Sequence, residues 1–152
     1  MSKANKADDV LTLLDVNILI ALAVPGHLHY VAAHKYFSQV QQSWATCSMT
    51  EAGFLRLLLN PTVTGQRIEP MAALAMLDGM RKHPGWHYLN DNVQVGNGPI
   101  DWRILAGKQQ VTDMHLVEVA AVYGARLATF DKKLESILAP ADRHDLVVWG
   151  LE

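Results

Sequence analysis

The chain of 152 residues is predicted to fold as an α/β sandwich, with a mostly parallel central sheet between layers of helices. Short apolar runs, such as residues 11–14 and 126–129, alternate with longer segments whose apolar residues recur at helical spacing. Half of the residues are apolar, which is enough to bury a core at this length. Alternation of strands and helices favours parallel strands joined by helical crossovers.

The first half of the chain predicts two strands and four helices. The strands cover residues 11–14 and 44–47, and the helices cover residues 16–24, 28–40, 48–60 and 70–82. Prolines support these bounds, because proline disrupts a helix interior but is tolerated in the first turn. Pro25 and Pro61 therefore end two helices, and Pro70 begins another.

The second half predicts three strands and two helices after a turn-rich segment at residues 91–99. The strands cover residues 86–89, 126–129 and 145–149. Thr112 is the expected N-cap of one helix, which Gly124 closes, and a further helix follows Asp131. Core packing is the favoured role of all four tryptophans, although Trp102 could alternatively stack on a base.

Composition points to a protein of a reducing compartment. The single cysteine, Cys47, excludes an internal disulfide framework and the usual thiolate zinc sites. Basic residues before an apolar stretch resemble a secretory signal, but two acids at positions 8 and 9 and Asp15 interrupt that outline. We expect a short polar tail at residues 1–10, one domain at residues 11–152, no membrane span and a cytoplasmic location.

Four acidic residues are expected at one edge of the predicted sheet. Asp15 directly follows the first strand, and Asp131 lies two residues beyond the strand that ends at Thr129. Glu51 and Asp113 each lie in the first turn of a predicted helix. Because the carboxyl ends of parallel strands and the following helix N-termini line one crevice, these acids are predicted to converge.

Each acid also has a structural interpretation. Glu51 lies three residues after Ser48, as in a capping box, and taken alone this is the better explanation. Asp113 could complement a helix dipole, and Asp131 could cap the following helix. Asp15 is harder to explain structurally, because a carboxylate within an apolar run is costly to bury unless it is used.

A convergent set of carboxylates has a definite chemistry. Neighbouring carboxylates repel one another, so protons or a cation must compensate their charge. Oxygen ligands without cysteine or an evident histidine pair favour Mg²⁺ or Mn²⁺ over zinc. Such an ion activates water and stabilises the leaving oxygen in phosphodiester cleavage.

Several segments resemble the motifs of PIN-domain ribonucleases, in particular VapC-type toxins of type II toxin–antitoxin systems. Residues 14–19 (LDVNIL) resemble the D-x-N opening, and residues 50–56 (TEAGFLR) resemble the T-E-x-x-F-x-R segment. Residues 26–29 (GHLH) resemble a histidine-rich start of the second helix. Residues 111–131 resemble the closing T-D…G-x-x-L-A-T-F-D pattern. The resemblance extends over residues 11–149.

The resemblance implies a three-layer PIN-like α/β/α sandwich and a Mg²⁺- or Mn²⁺-dependent endoribonuclease. It also implies a cognate antitoxin that inhibits the enzyme, and a homodimer. Matched by position, the catalytic and metal-binding residues would be Asp15, Glu51, Asp113 and Asp131. The supporting residues would be Asn17, Thr112 and Thr129.

Other polar residues receive weaker predictions. Lys132 and Lys133 follow Asp131 and are the better candidates for RNA phosphate contacts. His27 and His29 begin a helix away from the acid-bearing segments, which favours structural or surface roles. Glu118 departs from the small residue common in such toxins. Five residues correspond to about 140° around a helix, so Glu118 is predicted to be peripheral to Asp113.

Other classes fit less well or remain open. A receiver-type phosphoacceptor needs an acidic pair after the first strand, and a haloacid-dehalogenase-like phosphatase needs Asp-x-Asp, where this chain has Asn17. A non-catalytic PIN module and an RNA-processing nuclease outside a toxin–antitoxin pair remain alternatives. The target RNA is unspecified, and the metal chemistry alone does not distinguish RNA from DNA.

Overall fold

The protein is described by a computed structural model over residues 10–105 and 107–150. Most of the predicted tail, residues 1–9, and the last two residues of the predicted domain lie outside the described residues. The strands are β1 (Thr12–Leu14), β2 (Trp44–Cys47), β3 (Trp86–Leu89), β4 (Arg126–Thr129) and β5 (Leu146–Val148). The α-helices are α1 (Val16–Ala23), α2 (Tyr30–Val40), α3 (Ser48–Leu58), α4 (Pro61–Thr64), α5 (Pro70–Arg81), α6 (Val111–Val122) and α7 (Lys132–Ile137).

The five strands form one parallel sheet in the order β3-β2-β1-β4-β5, which confirms the predicted α/β class. Strand β1 lies at the centre, and its residue Leu13 pairs with Ala45 on one side and with Leu127 on the other. Successive side chains of a strand point to opposite faces. Accordingly, Leu13 packs with Met114 in one core cluster, whereas Leu14 joins the other.

Each face of the sheet carries its own core cluster, so helices cover both faces and give three layers. One cluster lies against α6 and includes Met114 and Val117. The other is filled mainly from α1, α3 and α5, with Ile18 and Phe54 fully buried. An all-parallel sheet needs this covering because both of its faces are apolar. Trp44 belongs to the second cluster, as the sequence predicts.

Three predicted boundaries differ from the observed ones by more than one residue. The second helix begins at Tyr30 rather than at residue 28. Helix α3 ends at Leu58, and Pro61 then begins the short α4, where the side chain of Asn60 accepts a hydrogen bond from the Thr62 amide at 3.0 Å. Thr112 is not an N-cap, because a 3₁₀ segment (Lys108–Gln110) runs directly into α6.

Within residues 10–105 and 107–150, no helix has both the length and the apolar character needed to cross a membrane.

Candidate active site

Three aspartates lie together at the carboxyl edge of the sheet. Asp15 follows β1 and caps α1, Asp131 follows β4 and caps α7, and Asp113 lies in the first turn of α6. Two adjoining cavities of about 500 and 670 Å³ both contain Asp15 and Asp113 in their walls. The larger cavity is also lined by Asp131 and Asn17. The topology thus brings three of the four predicted acids to one place.

A single hydroxyl group organises the centre of this cluster. Thr129 is fully buried, and its Oγ1 donates to Oδ2 of Asp15 at 2.8 Å. Oγ1 of Thr129 also accepts hydrogen bonds from Asn17 Nδ2 and from the Asp131 backbone amide, both at 3.1 Å. The other oxygen of Asp15 accepts from the Val16 amide at 2.7 Å. The side chain of Asp15 is therefore held in one orientation by neighbours on two segments, the end of β4 and the start of α1.

The three aspartates carry negative charge that no basic side chain offsets among the described ion pairs. Burial raises the pKa of Asp15, and the charge of Asp131 raises it further, against the lowering effect of the hydrogen bonds from Thr129 and Val16. Burial, together with the charges of Asp15 and Asp131, raises the pKa of Asp113 to about 6. None of the ion pairs in the described part of the chain involves these three aspartates.

This cluster fits a hard divalent cation. The donor set is oxygen only, which Mg²⁺ and Mn²⁺ prefer over softer ligands. A cation would also remove the repulsion that raises the pKa of Asp113. Among the described residues, no group of three or more His, Cys, Asp or Glu side chains stands close enough to hold a metal ion directly. An ion would therefore be held here partly through water molecules, which Mg²⁺ commonly keeps, or after the aspartate side chains turn towards it.

The structure does not bring Glu51 to the aspartates. Its Oε1 accepts from Nη2 of Arg81 at 2.5 Å, and its Oε2 accepts from Oγ1 of Thr46 at 2.7 Å. On α3 the residues that face the smaller cavity include Ala52 and Arg56, and Glu51 lies on another side of the helix. The capping box predicted for Ser48 and Glu51 is formed instead by Cys47 and Thr50.

Helix α3 nevertheless approaches the cluster closely. A Cβ atom on Gly53 would lie 2.7 Å from a methyl group of Val16, so only glycine permits this packing of α3 on α1. One turn later, the exposed side chain of Arg56 lines the smaller cavity beside Thr112 and Asp113. Arg56 makes no ion pair within the described residues.

The two lysines predicted to contact RNA phosphates lie outside the cavities at the aspartates. Lys132 and Lys133 are exposed at the start of α7, and neither lines a cavity that contains the aspartates. Lys132 instead borders a separate depression with Arg143. Arg56 is therefore the basic side chain that the structure does bring to the acidic cavity.

Two histidines that the sequence places away from the acids lie in the wall of the larger cavity. His27 and His29 follow α1 and line this cavity together with Asp15, Asn17 and Asp131. The ring of His29 lies 5.6 Å from the ring of Phe130, centroid to centroid. This tertiary contact folds the turn after α1 back towards the cluster. No spacing rule along the sequence could have indicated it.

Glu118 lines neither cavity at the aspartates, in line with its predicted peripheral position, but it is a core residue and not a surface one. It is fully buried, and Oε2 accepts from the Gly98 amide at 3.1 Å and from Trp102 Nε1 at 3.0 Å. Its Oε1 lies 2.6 Å from Nδ1 of His115, whose Nε2 contacts Asp91 at 2.9 Å. These contacts fasten the segment between β3 and α6 to the helix that bears Asp113. The turn-rich segment needed a buried acceptor that the sequence pattern did not reveal.

Comparison with known proteins gives a consistent family. No family model matches the chain. Ribonuclease VapC39 of Mycobacterium tuberculosis is 41% identical over 124 residues, which cover 80% of this chain and 89% of the relative. Ribonuclease VapC38 of the same organism is 38% identical over 122 residues, covering 80% and 85% respectively. Ribonuclease VapC44, also from this organism, is 29% identical over 133 residues, covering 84% and 91%. The motif resemblance is thus confirmed, and the chain belongs to the VapC family of PIN-domain ribonucleases.

Proposed function

We propose that the protein is a metal-dependent endoribonuclease toxin that cleaves RNA phosphodiester bonds and is inhibited by a cognate antitoxin protein. One observation supports this most strongly: three aspartates from separate segments share one cavity at the carboxyl edge of the sheet. Their mutual repulsion has no protein cation to offset it among the described ion pairs. The relatives named as ribonucleases identify RNA as the substrate class.

In this proposal Asp15, Asp113 and Asp131 hold Mg²⁺ or Mn²⁺, partly through bound water or after small side-chain movements, because as they stand they are not grouped closely enough to hold it directly. The bound ion supplies an activated water nucleophile and stabilises the leaving oxygen of the phosphodiester. Thr129 orients Asp15 through its 2.8 Å hydrogen bond, and Asn17 in turn orients Thr129. Such outer contacts fix the direction of ligands and strengthen metal binding.

One carboxylate oxygen of Asp131 and two residues of the smaller cavity complete the proposed site. Asp131 uses Oδ1 to cap α7, accepting from the Lys133 amide at 3.0 Å, and its Oδ2 has no partner among the described residues. Oδ2 is thus the oxygen offered to an ion. Thr112 and Arg56 line the smaller cavity, where a hydroxyl and a guanidinium would bind phosphate oxygens.

The contacts of Glu51 differ from those of the three aspartates. The motif match includes Glu51 in the acidic set, but Arg81 and Thr46 occupy both of its oxygens. Glu51 would reach an ion beside Asp15 only by giving up these contacts. We therefore propose three aspartate ligands, with Glu51 supporting α3 through its ion pair.

The proposal includes a homodimer in the cytoplasm, where the single buried cysteine is compatible with reducing conditions. The alternative, a PIN module that binds RNA without cleaving it, is less favoured. A binding module gains nothing from an aspartate whose pKa is raised to about 6 by burial and by two neighbouring charges. An RNA-processing nuclease without an antitoxin uses the same chemistry and differs only in its partners.

The direct test is cleavage of single-stranded RNA by the purified protein. We expect cleavage with Mg²⁺ or Mn²⁺, none with EDTA, and a loss of at least a hundredfold in Asp15→Asn. Glu135→Gln, on the exposed side of α7, is the matched control and should cleave normally. Cleavage that persists in EDTA and in Asp15→Asn would overturn the proposal. A single-stranded DNA of the same sequence tests the preference for RNA.

A further inference from the structure

The two cavities at the aspartates adjoin one another, and their far ends differ in chemistry. They share Asp15, Val16 and Asp113, so the acidic cluster lies where they join. The smaller cavity leads to Arg56, a cation with no acidic partner among the described residues. The larger cavity leads to His27, His29 and other residues around Phe130. A single strand lying across the aspartates would meet a cation on one side and rings on the other.

The rings form a short row. The centroid of His29 lies 5.6 Å from those of both His27 and Phe130, and Phe130 in turn lies 6.1 Å from Trp149. Phe130 is nearly buried against the core, whereas both histidines are partly exposed. The row is therefore supported from below by the core and open to the cavity above.

Among the described residues, only one of the two histidine rings is fixed by a hydrogen bond. Nδ1 of His27 accepts a hydrogen bond from the His29 backbone amide at 3.0 Å, which fixes its ring. In the described part of the chain the His29 ring makes no hydrogen bond, and it does not cap α2. Core packing does not explain a partly exposed ring at the wall of an acidic cavity.

We propose that His29, supported by Phe130 and His27, forms a subsite on which the base of a nucleotide next to the cleaved phosphate stacks. This inference rests on the proposed nuclease function. Bases of single-stranded RNA commonly stack on histidine and other aromatic rings, and such stacking is tolerant of sequence. No lysine or arginine lines the described wall of the larger cavity, which suits a base better than a phosphate. Arg56 at the opposite end suits the backbone.

The experiment combines protein variants with an abasic substrate. The cleavage site is first mapped on a mixed-sequence single-stranded RNA with Mn²⁺. Each of the two nucleotides that flank it is then replaced by an abasic ribose in turn. With intact RNA, His29→Ala should lower kcat/KM by between about fivefold and a hundredfold, the range measured for loss of one stacked base.

With the abasic substitution on the correct side, His29→Ala should cause no further loss, because the stacking partner is already absent. His29→Phe should restore most of the activity, since phenylalanine stacks but cannot hydrogen-bond through a ring nitrogen. Arg56→Ala should reduce the activity on intact and abasic RNA by the same factor. Leu28→Ala is the matched control, because Leu28 lies between the histidines but is 87% exposed and lines neither cavity.

The outcomes separate the inference from the proposed function. If the wild-type protein cleaves RNA only with metal and His29→Ala cleaves both substrates as the wild type does, stacking is refuted and the nuclease assignment stands. If the wild-type protein does not cleave RNA with either metal, the proposed function itself fails. If His29→Phe is as impaired as His29→Ala and both bind Mn²⁺ more weakly by electron paramagnetic resonance, the imidazole is a metal ligand and stacking is overturned.

Discussion

Replacing Asp113 by asparagine should make the metal-free protein more stable at neutral pH. Most substitutions near a core destabilise a protein, so an increase is a demanding expectation. The reason is the burial of the Asp113 carboxylate, to which the repulsion by Asp15 and Asp131 adds. Asparagine has nearly the same shape as aspartate and carries no charge, so it removes the repulsion without leaving a cavity.

The magnitude follows from the pKa of Asp113. A rise from 3.8 to about 6 corresponds to about 3 kcal/mol, at about 1.4 kcal/mol for each pH unit. Asp113 is partly exposed, so solvent screens its charge and the penalty is smaller than this figure. In the first turn of α6 its charge also interacts favourably with the helix dipole by up to about 1 kcal/mol. We therefore expect a net gain of about 1–2 kcal/mol. For a protein of this size, that raises Tm by about 2–8 °C.

The pH dependence has a definite sign. Because the folded-state pKa of Asp113 lies above its unfolded value, folding is disfavoured as pH rises from about 4 to about 6. The full penalty is present above pH 6. Below about pH 4 the carboxyl group is protonated in both states and the penalty disappears. The advantage of asparagine should therefore be largest near pH 7.5 and vanish near pH 4.

The assay is thermal unfolding followed by circular dichroism in EDTA at pH 7.5 and at pH 4. Glu135→Gln removes the same charge from an exposed position and should leave Tm nearly unchanged. Added Mg²⁺ should then raise Tm of the wild type more than that of Asp113→Asn, because an ion stabilises the state that binds it. A Tm at pH 7.5 that is unchanged or lower in Asp113→Asn would refute the repulsion argument.

Three further predictions concern neighbouring contacts. Thr129→Val removes the hydroxyl that orients Asp15 and should lower kcat at least tenfold while the protein stays folded; unchanged kcat would contradict this role. Glu118→Ala leaves buried donors unpaired and should cost about 3–5 kcal/mol in urea unfolding, and a loss below 1 kcal/mol would show that water replaces the carboxylate. Glu51→Gln should retain Mn²⁺ affinity within threefold, because its carboxylate contacts Arg81; a tenfold loss would include Glu51 among the ligands.

The sequence predicts the parts of the site that depend on chain topology. Asp15 and Asp131 follow adjacent parallel strands, so their position at one edge is a consequence of strand order. Thr129 ends one of these strands, and its hydroxyl reaches the other within one hydrogen bond. The ends of the strands and helices can be predicted because periodicity and capping signals are local in the chain, and the parallel sheet then brings these ends together.

The direction in which a helical side chain points is less predictable. Glu51 lies in the first turns of α3, as expected, but its partner Arg81 is 30 residues further along the chain. The ion pair and the contact with Thr46 decide which side of α3 carries the charge. Neither contact leaves a signal in the residues next to Glu51, where the capping-box pattern suggests a different partner.

The burial of Glu118 and the position of His29 beside the aspartates are not predictable from the sequence, for the same physical reason. Each residue is positioned by a loop whose course no local rule describes: the segment of Gly98 in one case and the turn before α2 in the other. Gly98 permits its close approach, since a Cβ atom there would lie 2.6 Å from Cβ of Glu118. Helices and strands thus place the aspartates, whereas loops supply the surfaces beside them. Because substrate choice depends on those surfaces, nucleases that share the three aspartates can differ in the RNA they bind.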